Sequence, residues 1–411
     1  MNYKSNSQVK KISINYKNNI QKKYLDITLD RNLRRKYLKV LDNLKYNLEK
    51  KQNLLNSFNQ DFKLNFNSKN LIRFKKFKTV TVIGMGGSIL GTEAIHHFLG
   101  QKVKKEFIFL NDLNEEHIKS VKRKNLKKTL FIIISKSGKT IETLLNLYSL
   151  KILKRNAKNI IIISEKNNPL FNLTKKMNLI HIDHRKYIGG RFSIFSEVSI
   201  LPALLMGLNI KKFKKNLLKH IKIKKNNFLK NSAISLSNIL LKKRFNNLIF
   251  FNYEPKLDKF LEWGQQLISE SLGKNGKGFL PVISKAPKDH HSLLQLYLAG
   301  PKDKIFYIFS SKTNNNKPNQ IKEIEKEINF LRNKNFSKIK NAQKSAFVQI
   351  LKKNGIPFRE FVLNNFDESA LGELFSYFIL ETILIGKLSN INPFDQPDVE
   401  TVKIGTKKIL I

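Results

Sequence analysis

At 411 residues the chain is too long for one compact core and suits two domains of ordinary size. Its hydrophobic share of 41% is enough to build them, and the absence of cysteine excludes disulfide frameworks, thiolate metal sites and cysteine nucleophiles. The net charge of +46 invites a nucleic-acid reading, but lysine is spread along the whole chain beside asparagine and isoleucine, and no standard nucleic-acid module is visible.

No apolar run reaches the length of a membrane span, and residues 1–17 have no apolar segment of the kind a secretory signal needs, so the expected location is cytoplasmic. The first 70 or so residues are rich in Lys and Asn and read as helical, for example over 31–58. They are expected to form an N-terminal helical extension (1–75) that packs on the first domain. Residues 78–84 then read as a β-branched strand that ends in glycines and runs into a helix at 89–98. A strand at 107–110, a helix around 115–121, a strand at 130–135, a helix at 140–154 and a strand at 160–164 follow. Strands alternating with helices predict a parallel sheet covered on both faces.

A second unit of the same kind begins near Asn247, with a strand at 248–252, a helix at 256–272 and a strand at 305–310. A solvated helix at 320–332, a strand at 359–363 and a long apolar helix at 369–388 complete it. The tail carries Asn392-Pro393-Phe394-Asp395-Gln396-Pro397, which cannot be a helix interior. The expected architecture is α/β: two tandem doubly wound parallel-sheet domains, 76–225 and 226–389, with the helical extension before them and a C-terminal tail, 390–411, after them.

Two loops at strand-to-helix junctions have the character of phosphate cradles. Gly84-Met85-Gly86-Gly87-Ser88 lets backbone N–H groups approach an anion at a helix start, although the third glycine of a dinucleotide fingerprint is replaced by Ile89. Ser135-Lys136-Ser137-Gly138-Lys139-Thr140 ends like a nucleotide P-loop, but Ile133 stands where that loop needs glycine. Its hydroxyls and free N–H groups still suit a monophosphate. Both loops follow strands of one sheet, which points to a crevice at the carboxyl ends of the strands.

Three clusters carry acid–base groups. Gly189-Gly190-Arg191-Phe192-Ser193 places an arginine after two glycines, where a ligand can approach closely; an ordinary surface arginine is the alternative. In Gln265-Gln266-Leu267-Ile268-Ser269-Glu270-Ser271-Leu272-Gly273-Lys274, Gln266 and Glu270 share a helix face and Gly273 reads as the C-cap. Asp289-His290-His291-Ser292 offers a histidine for proton transfer. No further ligands stand at metal-site spacing, so no metal is expected. Asp183-His184 and His96-His97 read as surface pairs without a role.

Taken together these segments resemble the phosphoglucose isomerase (glucose-6-phosphate isomerase) family, whose members are built from two sugar-isomerase α/β domains. Segments 83–91, 135–143, 189–207, 265–281, 291–295 and 392–403 match in family order and span about four-fifths of the chain. The resemblance implies reversible isomerisation of glucose 6-phosphate and fructose 6-phosphate through a cis-enediol(ate). By its motifs Glu270 would be the catalytic base, Arg191 the cation at the enediolate oxygen, and His291 and Lys403 the groups that help open the ring. Gly87, Ser88, Ser135, Lys136, Ser137 and Thr140 would contact phosphate and sugar, and Gln266 and Gln396 would line the site. It implies a homodimer in which His291 comes from the partner subunit, and no cofactor, metal, nucleic acid or membrane. Asp398 stands where members usually have glycine, and His290 where they commonly have glutamine. The alternatives are a bifunctional phosphoglucose/phosphomannose isomerase and a non-catalytic sugar-phosphate-binding regulator.

Overall fold

The computed structural model describes residues 12–223, 227–312 and 324–411. The chain opens with strand β1 (Ile14–Asn19) and helix α1 (Ile27–Glu49), which Asp26 caps by accepting from the Leu29 N–H. An alternating run follows: β2 (Thr79–Gly84), α2 (Leu90–Leu99), β3 (Glu106–Leu110), α3 (Glu115–Lys122), β4 (Thr129–Ile134), α4 (Ile141–Ser149), β5 (Ile160–Ser164), α5 (Pro169–Met177) and β6 (Ile180–Asp183). Helices α6 (Glu197–Leu205), α7 (Ile210–Phe213), α8 (Lys219–Lys222) and α9 (Phe228–Lys242) bridge to the second run. That run comprises β7 (Asn247–Asn252), α10 (Asp258–Leu272), β8 (Leu280–Lys285), α11 (Asp289–Ser292), α12 (Leu294–Ala299) and β9 (Lys304–Ser311). It continues with α13 (Phe336–Lys353), β10 (Phe358–Leu363), α14 (Glu368–Leu388) and α15 (Pro397–Ile409).

The two sheets are wound alike. The first has the order β3-β2-β4-β5-β6 and is parallel throughout. The second has the order β1-β10-β9-β7-β8, parallel except at β1. In each, the second strand lies on one side of the first and the third on the other, so each sheet has a point where the winding reverses. Strands β4 and β5, Thr-Leu-Phe-Ile-Ile-Ile and Ile-Ile-Ile-Ile-Ser, are buried at every position, as strands covered on both faces must be.

One apolar cluster runs from Val80 and Val82 of β2 through α2, α6, α9 and α10 to Leu248, Ile305 and Phe361 of the second sheet, so both sheets share a core. At its centre lies α14, long and apolar enough by length and composition to cross a membrane, yet buried inside the protein at every position but Lys387. Its polar positions are paired. Glu373 bonds His220 and Lys219, and Glu381 meets Arg359, itself fully buried among the Phe228, Tyr307, Phe361 and Tyr377 rings.

Several expectations require correction. The N-terminal segment does not simply pack on the first domain. β1 pairs antiparallel with β10 of the second sheet, whose edge would otherwise be unpaired, and α1 packs on α9 and α14. Helix 31–58 ends at Glu49, and residues 54–58 form a separate 3₁₀ turn capped by Asn53. Helix 140–154 stops at Ser149, with Lys151 in the left-handed region. Of the helix at 320–332, residues to 323 lie outside the described residues. The remainder holds only a 3₁₀ turn, Lys326–Leu331, and the true helix there is α13.

Candidate active site

The crevice forms where the first sheet reverses its winding. Gly84 at the end of β2 is in register with Ile134 at the end of β4, so the two candidate phosphate loops emerge side by side at the carboxyl ends of adjacent strands. In the first loop Gly86 has φ +52°, and a Cβ there would lie 2.8 Å from Gln266 Nε2. A Cβ on Gly87 would lie 2.2 Å from the Gly190 carbonyl carbon and 2.3 Å from Arg191 N. The Gly-Gly-Ser and Gly-Gly-Arg loops therefore touch backbone to backbone. Ser193 ties them, its Oγ donating to the carbonyls of Gly190 (2.7 Å) and Gly87 (3.2 Å).

In the second loop the hydroxyls of Ser135 and Thr140 lie 2.9 Å apart, and Ser137 Oγ accepts from the Lys139 N–H. Gly138 has φ +64°, and Asn168 braces the loop by donating to the Lys136 carbonyl. Lys136 Nζ donates to the Lys186 carbonyl at 2.7 Å and lies 3.6 Å from Glu165; burial holds its pKa below the usual lysine value.

Helix α10 and the tail supply the other wall. Glu270 Oε1 accepts from Gln266 Nε2 at 2.9 Å, the i, i+4 pair seen in the sequence, and Oε2 accepts from Arg191 at 3.0 Å. Arg191 is not a surface residue. Its Nε donates to Ser271 Oγ (2.8 Å), Nη1 to Glu270 and to Gln396 Oε1 (2.6 Å), and Nη2 to the carbonyls of Pro393 (2.7 Å) and Asp395 (3.1 Å). All five N–H groups of the guanidinium are used. Burial pulls its pKa down, opposed by Glu270. Lys274 pins the tail by donating to the Asn392 carbonyl and pairing with Asp395 at 2.9 Å. Gln266 Oε1 is buried without a partner among the described residues.

Of the sequence-predicted residues, the structure brings together Arg191, Glu270, Gln266, Gln396 and Gly87, with Ser88, Ser135, Lys136, Ser137 and Thr140 on the two adjacent loops. It does not bring Lys403 or His291 to them. Lys403 lies on α15, which buries no residue, and donates to Glu400. His291 is exposed and makes no side-chain hydrogen bond among the described residues, whereas His290 bonds the Tyr253 hydroxyl at 2.6 Å and packs against Phe251 and Phe347. Of the two, His290 is thus the one whose side chain is held. Among the described residues no group of three or more His, Asp or Glu side chains is placed to hold a metal ion.

Sequence reasoning missed Ser193 as the tie between the two glycine loops, and Ser271 and the Pro393 and Asp395 carbonyls as acceptors for Arg191. Ser271 follows Glu270 directly, so its place beside the site was legible; the carbonyls carry no side-chain signal. His184 was misread as a surface residue: it is 2% exposed, with Nδ1 3.2 Å from the Arg185 carbonyl. His96 is half-buried against Phe107 and Phe109.

Comparison with known proteins places these features in a context. A family model described as phosphoglucose isomerase matches residues 31–280. The chain is 34% identical over 345 residues to the glucose-6-phosphate isomerase of Methanocaldococcus jannaschii, covering 81% of this chain and 85% of that protein. It is 32% identical over 355 residues to the enzyme of the same name from Campylobacter jejuni, again covering 81% and 85%. Among solved structures, a hypothetical protein from Thermus thermophilus superposes with a TM-score of 0.79 at 26% identity, covering 94% of this chain and 99% of that one. A glucose-6-phosphate isomerase from Chlamydia trachomatis shares the fold with a TM-score of 0.76 at 18% identity, covering 97% and 88%.

Proposed function

The chain belongs to the phosphoglucose isomerase family, and from that premise we propose that it interconverts glucose 6-phosphate and fructose 6-phosphate. The observation that carries this reading is the Glu270 carboxylate held between Gln266 and the fully engaged Arg191, facing the paired loops at the switch point.

The roles follow from chemistry. Moving a carbonyl between C1 and C2 requires a base to lift the C2 proton of the open aldose and return it to C1. Glu270 suits this, since Gln266 and Arg191 fix both of its oxygens while a quarter of its side chain stays exposed. Negative charge collects on oxygen in the enediolate, and Arg191 supplies a preorganised cation that needs no reorganisation as the charge develops. The unpartnered Gln266 Oε1 is an acceptor for a sugar hydroxyl. Ser88, Ser135, Ser137 and Thr140 offer hydroxyls to the phosphate. Lys136 reaches it by releasing the Lys186 carbonyl. Aldose and ketose are isomers, so the reaction needs no net oxidant or reductant.

Ring opening falls to His291 and Lys403, and within one chain neither bonds Glu270 among the described residues. A homodimer in which the partner subunit contributes His291 would bring the first of these to the crevice. The exposed apolar residues Val402, Ile404 and Ile409 on α15 are consistent with an unshared surface that a second copy covers. Glycolysis and gluconeogenesis in the cytoplasm are the setting this activity implies.

The test is fructose 6-phosphate conversion read through added glucose-6-phosphate dehydrogenase in EDTA, with Glu270→Gln alongside. Robust turnover is expected in EDTA, falling by about 10²–10⁴-fold in the variant. Absence of turnover in a folded wild type would favour the regulator reading.

A further inference from the structure

A second polar cavity, of about 450 Å³, lies outside the crevice between the end of α1, the segment 56–62, and the α7–α8 region. Phe58 on its wall is 1% exposed and packs on Phe195 with ring centroids 5.1 Å apart, so a buried aromatic pair stands between this cavity and the turn that carries Arg191. The floor is fixed: Asn56 and Asn59 both donate their side-chain amides to the Leu48 carbonyl, at 3.1 and 2.6 Å.

Two kinds of group converge on the cavity. Lys51, Lys214 and Lys222 bring positive charge, and Glu49, Gln60 and Asp61 bring oxygen acceptors. Lys214 is the unusual member. Its Nζ donates to the Asn59 carbonyl at 2.5 Å and sits 5.5 Å from the Phe62 ring centroid, and this carbonyl is its sole hydrogen-bond acceptor among the described residues. An ammonium has three donors, so two are left without a protein acceptor among the described residues. Burial brings its pKa down to about 8, with Asp61 opposing. Such a group gains from an anion that fills its free donors and restores its charge. The side chains of Glu49, Gln60 and Asp61 make no hydrogen bond among the described residues and are left to receive hydroxyl donors. Cations for a phosphate beside carboxylates and an amide for hydroxyls are complementary to one ligand class.

We propose that this cavity is a second binding site, distinct from the catalytic crevice, for a phosphorylated polyol or sugar. The phosphate sits against Lys214 with Lys51 and Lys222, and the hydroxyls donate to Glu49, Gln60 and Asp61.

The probe is glucitol 6-phosphate, which has no carbonyl and cannot be isomerised, titrated calorimetrically into the full-length protein. The titration is run at about 150 mM KCl, where the Debye length is ~8 Å and diffuse attraction is screened. Two equivalents per chain are expected for the wild type and one for Lys214→Met, with kcat and KM for fructose 6-phosphate unchanged in that variant. The double variant K51Q/K222Q, confined to exposed positions, is expected to keep the second equivalent but weaken it about tenfold. Lys127→Met, an exposed lysine elsewhere, should change nothing. A single wild-type equivalent that Lys214→Met abolishes supports this site and counts against binding in the crevice. A stoichiometry that is the same in the wild type and in Lys214→Met, whether one or two equivalents, overturns the proposal, as does a second equivalent lost equally in Lys127→Met.

Discussion

Arg191 shows how a residue becomes buried through partners its own neighbourhood does not announce. It follows two glycines and could have been a solvated arginine. It is buried because Ser271, Gln396 and two tail carbonyls accept from it, and those lie about 80 and 200 positions away along the chain. Lysine keeps the charge but not the five-donor fork. Arg191→Lys is therefore expected to lower kcat by about 10²–10³-fold. The same change is expected to cost about 1–3 kcal/mol of stability, since buried acceptors lose their donor. Coupled kinetics and urea midpoints read the two effects separately. His184 makes a second case at this scale. Burial first, and the Lys136 charge second, push its pKa from 6.5 to about 4. Between those values the unfolded chain binds a proton that the folded chain refuses, so stability rises with pH across that window. It is fully present above about 6.5 and is lost as pH falls toward about 4. The shift corresponds to roughly 3 kcal/mol. His184→Asn, whose amide can replace Nδ1 as donor, should be less stable than wild type at neutral pH. The gap should narrow as the pH falls through that window. A constant gap in urea midpoints would rule this out.

At the scale of elements, the strands that carry the catalytic loops were the most legible part of the sequence, because a strand covered on both faces must be apolar throughout. Ile-rich β4 and β5 meet that demand without ambiguity, and the glycine and serine loops after β2 and β4 follow from them. Where burial is one-sided the signal fades. β1 reads Ile-Asn-Tyr-Lys-Asn-Asn and gains its place by pairing with β10, more than 300 residues distant. The Lys-rich α13 buries only Phe347, Val348 and Leu351, so its periodicity was lost among lysines. The contact between loops was equally invisible, since glycine spacing shows where a close approach is allowed but not what approaches. Gly87→Ala tests that contact. Its Cβ would press on backbone atoms of Gly190 and Arg191, which cannot rotate away. The expected cost is about 1–3 kcal/mol. Displacing the guanidinium should lower kcat/KM by about 10²-fold. Gly100→Ala, where an added Cβ meets nothing within 4 Å, is the matched control and should be silent in both readouts.

At the scale of the molecule, one chain brings Glu270, Arg191 and the two serine-bearing loops together but leaves His291 and Lys403 at its surface. His290 is held by Tyr253 and the Phe251 and Phe347 rings, so its neighbour alone is free to enter another site. If a partner copy supplies His291, each crevice is built from two chains and the defect of one chain can be relieved by the other. Glu270→Gln and His291→Gln are then each inactive as homodimers. Unfolding and refolding an equal mixture would give half heterodimers. One crevice of each heterodimer carries both substitutions and the other carries neither. The mixture should therefore regain about a quarter of the wild-type rate, as the twofold symmetry of such a dimer requires. Coupled kinetics on the refolded mixture, with each variant refolded alone as reference, read the outcome. A rate that stays at the sum of the two single variants would mean that His291 serves its own chain. The short α11 would then have to carry it to Glu270 within one subunit.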